Sequence, residues 1–339
     1  MENPNMVHKN APPKVATAGE ALIDLIGNDA GHLEPCLGGA VYNLTRALAL
    51  QGVDTTYLNP LSQDRFGRQL AAGLEAAGVH LGAAQPVQQV TSLAVVGVGA
   101  QGVPHYSFYR EGVADRATSA SALTAACDAM DGLQLVCTGA LALSPQDGAT
   151  YLPWLLSQRE AGRTVVIDAN LRPSVMPDLT KYRSHVLNAL QYAHIIKVSD
   201  EDLECLGLPG TTAQARASAL LDSTRAHCVA LTQGAKGATL LTRFGQTFHA
   251  RETQAVNLVD TVGAGDCFLA GLVVALLEAG IGKEWGLAKV DPTQAQALLA
   301  NAVASASICV MRRGCVPPTR SEVKARLSSV AMEFSEPCA

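Results

Sequence analysis

The sequence predicts an α/β protein: a doubly wound, mostly parallel sheet flanked by helices, with a small β-sheet standing off it as a lid. Three observations carry this expectation. From Leu133 onward, apolar runs of strand length alternate with stretches of helical spacing, the pattern of βα units whose parallel sheet is covered on both faces. Hydrophobic residues make up 48% of the chain and charged ones 16%, enough for a large core and incompatible with global disorder. Two segments, about 33–37 and 92–110, break the alternation with antiparallel-looking strands, and these are assigned to the lid.

The elements follow in order. Residues 1–13 are polar and proline-bearing and read as a floppy arm, ahead of a single domain over 14–330 and a tail over 331–339. "KVATAGEALIDLIG" is a first strand running into Glu20 and Asp24, and "HLEPCLGG" a short strand ending on Gly38 and Gly39. "AVYNLTRALALQG" has helical spacing and stops at Gly52, "TTYLNPLS" is strand-like, and "DRFGRQLAAGLEAAG" is a helix closed by Gly78. Gly97 to Gly102 spell a GxGxxG pattern, but Pro104 and alternating residues follow where a dinucleotide fold needs a helix, so 92–110 reads as a hairpin. "LQLVCTGALAL", "TVVIDANLR", "AHIIKVSD" and "CVALTQGAKGATLLT" are then strands. Helices fall in "YLPWLLSQREAG", around 180–192, after Glu201, in "DCFLAGLVVALLEAG" and in "PTQAQALLANAVASASICVMRRG".

Composition narrows the function. A net charge of −5 and a pI near 5.9 argue against nucleic acid or an anionic membrane as partner. Nine cysteines with no CxxC pair read as reduced intracellular thiols, not as a disulfide framework or a zinc site. No apolar leader opens the sequence, and the run Cys267–Ala279 is short of the ~20 residues that span a bilayer, so a cytoplasmic location is expected.

Polar and glycine-rich residues collect where open α/β sheets bind ligands, after the carboxyl ends of strands: Asp24, 168–172, 197–202, 232–237 and 260–266. Gly263, Ala264 and Gly265 carry little side chain ahead of an apolar helix, so its N-terminal N–H groups can meet an anion closely. Asp266, in the first turn, is placed to accept the proton of a hydroxyl attacking a phosphoryl group, or simply to stabilise the helix start.

"DTVGAGDCFLAGLV" matches the second signature of the ribokinase-like (PfkB) carbohydrate kinases. Gly38 to Asn43, "GGAVYN", resembles their first signature, and Thr232 to Gly237, "TQGAKG", their T-x-G-x-x-G nucleotide loop. The resemblance runs over roughly residues 14–325, and no Walker A motif is present. It implies an ATP-dependent kinase working with Mg²⁺, in which Asp266 is the general base and the backbone of Gly263, Ala264 and Gly265 holds the developing phosphoryl charge. It further implies a nucleotide site from Lys197, Ser199, Thr232, Gly234, Gly237 and Asn301, with Asp202 organising Mg²⁺ indirectly. "KVSDED" departs there from the family's N-x-x-E, and also reads as a helix start capped by Ser199. Similar kinases bind a monovalent cation, K⁺, to which Asp260, Val262 and Gly314 correspond.

For the acceptor, Asp24, Gly38, Gly39 and Asn43 match sugar-binding positions, and lid alternation turns Phe108 and Arg110 toward one face. Arg110 and Arg172 could also pair with a substrate carboxylate, and "DANLRP" resembles kinases of 2-keto-3-deoxygluconate. "GEALIDLI", "CLGGAVYN" and "IIKVSDEDL" resemble the kinases of fructose, so the expected reaction gives fructose 6-phosphate. The keto-deoxy acid, ribose or a nucleoside are the alternative acceptors, and an inactive sugar-binding regulator is the alternative of another class. Lid strands with apolar faces pair readily across a two-fold axis, so a homodimer through the lid is expected.

Overall fold

In a computed structural model, the described residues are 14–27, 31–98, 104–173, 176–254, 256–282, 284, 286 and 288–335. The arm over 1–13 and the turn residues 99–103 of the GxGxxG pattern lie outside them. The strands are β1 Lys14–Thr17, β2 Leu22–Gly27, β3 Leu33–Gly38, β4 Asp54–Tyr57, β5 His80–Leu81, β6 Ser92–Val98 and β7 Pro104–Tyr109. They continue as β8 Leu133–Gly139, β9 Thr164–Asp168, β10 Ile195–Ser199, β11 Cys228–Thr232, β12 Ala238–Thr242, β13 Thr247–Glu252 and β14 Met332–Ser335. The helices are α1 Ala40–Leu50, α2 Arg65–Ala76, α3 Ala120–Asp128, α4 Gly148–Glu160 and α5 Leu179–Leu190. After these come α6 Asp200–Leu206, α7 Ala213–Ser223, α8 Ala264–Glu278, α9 Pro292–Val310 and α10 Arg320–Ser329.

The main sheet runs β14-β13-β12-β11-β10-β9-β8-β1-β4-β5, parallel from β11 to β5 and antiparallel from β11 to β14. Its central strands are apolar on both faces because helices cover both. One face packs under α1, α8 and α9 around Val166, Ala230, Leu269 and Leu299. The other packs under α3 to α7 around Trp154, Ile167, Tyr182 and Val229.

A second sheet, β3-β2-β6-β7, stands apart as the lid. Three boundaries differ from the sequence reading. "KVATAGEALIDLIG" is two strands, since residues 18–21 leave the main sheet at β1 and the chain re-enters pairing in the lid as β2. "CVALTQGAKGATLLT" is likewise two strands, β11 and β12, folded antiparallel about the turn Gly234–Lys236. The expected tail contributes β14, whose backbone pairs with β13 at the sheet edge, so the domain runs on through Ser335. In each case a polar or glycine-rich break decides pairing, and apolar patterning alone does not reveal it.

Candidate active site

The carboxyl ends of β8 to β11 meet the underside of the lid in a cleft of ≈ 370 Å³. The lid supplies its roof from one face: Asp24 on β2 lies opposite Ala94 on β6, which lies opposite Phe108 on β7, so all three side chains share that face. Asp24 is therefore a residue of a central lid strand, not of a main-sheet strand end. It lines the cleft together with Phe108 and Arg172. Burial pushes its carboxyl up to about 6, against the pull of the Arg172 guanidinium.

The floor is the start of α8. Gly263 is its N-cap, with no side-chain cap, in a left-handed conformation (φ 78°) that only glycine adopts without strain. The N–H groups of the first helical turn have no intrahelical acceptor, so the positive end of the helix opens at the cleft. Gly265 is needed for a close approach: a Cβ there would lie 2.9 Å from Lys197 Nζ. The Lys197 ammonium thus sits against the turn, 3.0 Å from Asp168 Oδ1 and hydrogen-bonded to Oδ2 at 3.2 Å. Burial lowers the affinity of Lys197 for its proton, but Asp168 and Asp202 outweigh it and the net shift is upward.

Asp266 follows in the first turn, buried at 6% exposure, and its Oδ2 accepts a hydrogen bond from Asn43 Nδ2 at 3.0 Å. Burial pushes its carboxyl up to about 7, with Asp168 adding to the rise and Asn43, Lys197 and Arg172 opposing it. A carboxylate near neutrality is an effective proton acceptor and donor at ordinary pH. Asn43 reaches it from α1, where Gly39 lines the cleft and Gly38 ends the adjoining strand β3.

The nucleotide-side residues divide. Ser199 and Thr232 are register partners at the ends of β10 and β11, and both line the cleft. Gly234 and Gly237 form the β11–β12 turn, beyond the cleft lining. Ser199 caps α6 in a reciprocal box: its Oγ accepts from Asp202 N (3.0 Å) while Asp202 Oδ2 accepts from Ser199 N (2.9 Å). Asp202 Oδ1 accepts from Leu171 N at 2.7 Å. Each oxygen retains a lone pair, so the carboxylate fits the orientation of a cation's hydration water better than direct ligation. Asp260 gathers the residues expected around a monovalent cation, accepting from Val262 N (3.0 Å) and Gly314 N (2.8 Å).

Arg110 and Asn301, like Gly234 and Gly237, lie outside the cleft lining. Arg110 does not reach the cleft: β7 ends at Tyr109, and the guanidinium turns to Asp115 (3.1 Å) and Asp147 (3.2 Å), which Arg116 also pairs. Asn301 is engaged by Ala297 O and Arg320 on the α9 surface, so it is spoken for by helix contacts and does not line the cleft.

Some cleft residues, Glu20 and Ala140 among them, escaped the sequence reading as site residues, whereas Asn170 falls in the stretch 168–172 that it marked. Glu20 lines the cleft, and its Oε1 accepts the Ala40 N–H at the start of α1 (3.0 Å), in place of the cap that Gly39 cannot supply. Burial drives its carboxyl up to about 7, against Arg110. Ala140 (φ 50°) and Asn170 (φ 37°) are the non-glycine residues at positive φ among those described, and both line the cleft. Asn tolerates that conformation and is a readable signal, whereas Ala140 offers none.

Phosphoryl transfer asks a protein mainly to position charge and accept a proton, and this cleft presents an uncapped helix N-terminus and a carboxyl near neutrality at the edge of a doubly wound sheet with a lid, the ribokinase-like fold. The chain matches the model of the pfkB family carbohydrate kinases over residues 12–322. It is 32% identical over 267 residues to a fructokinase of Rhizobium leguminosarum bv. trifolii, covering 77% of this chain and 79% of that one. Against the Escherichia coli fructokinase the identity is 30% over 270 residues, covering 79% and 86%. The structure of Xylella fastidiosa fructokinase with bound ATP superposes with a TM-score of 0.79 at 24% identity, covering 93% of this chain and 98% of that one. Vibrio cholerae O395 fructokinase in its fructose, ADP and calcium ion bound form gives 0.75 at 24% identity, covering 93% and 99%. The chain belongs to the pfkB family of carbohydrate kinases, enzymes that transfer a phosphoryl group to a sugar.

No helix among the described residues is long and apolar enough to cross a membrane.

Proposed function

We propose that the protein phosphorylates the primary hydroxyl of fructose with ATP, giving fructose 6-phosphate and ADP. The observation that carries this reading is the position of Asp266: a buried carboxylate raised to about 7, on an uncapped helix N-terminus, under a lid strand carrying Asp24. The curated relatives named fructokinase at 30–32% identity support the choice of sugar.

The sugar enters beneath β2 and β7, its hydroxyls meeting Asp24 and Asn43 and one side of its ring resting on Phe108. ATP lies over the ends of β10 and β11, with its γ-phosphoryl group against the first turn of α8. The attacking hydroxyl gives its proton to Asp266 as its oxygen bonds to the γ-phosphorus, and the bond to the bridging oxygen of ADP breaks. The N–H groups of the Gly263–Asp266 turn and Lys197 stabilise the charge spread over the equatorial oxygens. Asp202 would orient the hydration shell of a Mg²⁺ ion bound with the nucleotide, which would supply neutralisation of phosphate charge. Asp260, Val262 and Gly314 are the residues that would hold a monovalent cation. The solvent-edge strands β3 and β7 of the lid are where a second copy pairs to form a dimer.

An ADP-release assay with Mg-ATP tests the reading. It compares fructose, 2-keto-3-deoxygluconate, ribose, glucose and adenosine, each with and without K⁺. Preference for fructose, stimulated by K⁺, is expected. Preference for the keto-deoxy acid would assign Arg172 to its carboxylate and overturn fructose while keeping the mechanism. No turnover by protein that still binds a sugar would make it a sensor.

A further inference from the structure

Directly behind the catalytic turn lie three thiols that the mechanism does not use. Cys267 follows Asp266 in the first turn of α8, Cys309 closes α9, and Cys315 sits in the loop beyond it. Their Sγ atoms all lie within 4.8 Å of one another, and this is the one convergent group of potential metal ligands among the described residues. Cys267 and Cys309 are fully buried, while Cys315 is half-buried and gives access from solvent. All three are free thiols.

We propose that Cys267, Cys309 and Cys315 form a three-thiolate site for a thiophilic d10 cation of the Zn²⁺ class, and that loading it lowers phosphotransfer. The donors are all sulfur, which selects soft cations and disfavours Mg²⁺ or K⁺, so this site is chemically separate from those serving the nucleotide. With metal–sulfur bonds of about 2.3 Å, a bound ion holds its sulfurs about 3.8–4.0 Å apart, within small rotamer adjustments of the present spacing. Binding forms three metal–sulfur bonds and releases the three thiol protons to solvent.

The cluster touches the turn: Cys309 Sγ donates a hydrogen bond to Val262 O at 3.5 Å. The coupling to catalysis is steric. A Cβ on Gly263 would lie 2.2 Å from Cys315 Sγ, so the sulfur rests on the N-cap of α8 with no room to spare. Gly314, next to Cys315, is tied by its N–H to Asp260 on the same turn (2.8 Å). Drawing Cys315 toward a metal therefore moves the backbone that faces the γ-phosphoryl group. The effect on turnover rests on the kinase reading, whereas metal binding itself does not.

The experiment titrates the reduced, metal-free full chain with Cd²⁺ and Co²⁺, following thiolate-to-metal charge-transfer absorbance, with Zn²⁺ as competitor. One equivalent of Co²⁺ is expected to bind and to be displaced by Zn²⁺, and Cd²⁺, the softer ion, to displace both. Cys315→Ala is expected to weaken binding at least ~10²-fold and remove the three-sulfur band, whereas Cys36→Ser on the lid keeps it. Should Cys315→Ala unfold, protection of the accessible Cys315 thiol from a thiol reagent by Zn²⁺ in the wild type reports the same site. Turnover of the Zn²⁺-loaded wild type is expected to fall at least ~10-fold and to recover with a chelator, on the scale that misplacing reacting groups costs. Absence of the band in wild type, or its survival in Cys315→Ala, overturns the site. A full band with unchanged turnover overturns the coupling.

Discussion

Two clusters of buried charge lie close together in this molecule and are built on opposite principles. At the root of the lid, Arg110 and Arg116 are matched to Asp115 and Asp147 by direct ion pairs of 2.6 to 3.2 Å. Ser92 adds a hydrogen bond to Asp115 and Ser144 one to Asp147. At the cleft, the lining acids Glu20, Asp24 and Asp266 and Asp168, paired to Lys197, outnumber Lys197 and Arg172, and burial raises all four carboxyls to between about 6 and about 7. The first cluster neutralises itself and fixes the lid to the main domain. The second is under-neutralised, which keeps its acids near the point of proton exchange and leaves hydrogen-bonding capacity for a ligand. Burial of charge is thus not itself a sign of function; incomplete pairing next to a cleft is.

The comparison breaks first at Arg110. Arg110→Met leaves the buried Asp115 without a cation while Asp147 keeps Arg116, so thermal or denaturant unfolding should show a loss of about 3–5 kcal/mol. The KM for sugar should stay within a few-fold where the variant folds. A large rise in sugar KM without loss of stability would return Arg110 to the substrate.

Glu20 probes the opposite cluster. Its folded-state value of about 7 exceeds the ordinary 4.5. Below the ordinary value both states hold the proton and nothing is lost. As pH rises toward the folded value the unfolded chain releases its proton first, so stability falls, and the loss is complete above it. Glu20→Gln stays neutral, and its stability relative to wild type should improve by roughly 3 kcal/mol between pH 4.5 and 7.5. A difference independent of pH would show that Glu20 titrates normally.

The smallest effect belongs to Ser199. As a cap, Ser199→Ala should cost ~1 kcal/mol of stability with the KM for ATP little changed. A large rise in that KM at unchanged stability would make Ser199 a nucleotide contact.

The same contrast explains what could be read from the sequence. The alternation after Leu133 and the turn Gly263–Asp266 are local patterns whose physics is local: the turn stands in the structure as read, and the alternation holds up to β11, beyond which the antiparallel β12 was read as part of one strand. Asn43 and Phe108 at the cleft came through family motif and strand alternation, while the Asn43–Asp266 contact did not. Arg110 was misread because alternation ends where β7 ends, and its true partners lie on other loops. The three-thiol cluster was invisible to spacing rules because its members come from two helices and a loop, far apart in the chain. Glu20 looked like an ordinary strand-end acid until the fold placed it against Ala40 N.

The central claim is that Asp266 takes the proton in phosphoryl transfer. Asp266→Asn preserves size and the neighbouring Asn43 contact while removing the base. Single-turnover ADP formation with saturating fructose, beside calorimetric binding of fructose to the same variant, measures it most directly. The account predicts fructose affinity within a few-fold of wild type and a rate at least ~10²-fold lower. A near-normal rate with fructose still bound would contradict it, leaving Asp266 as a helix-start residue and the base elsewhere in the cleft.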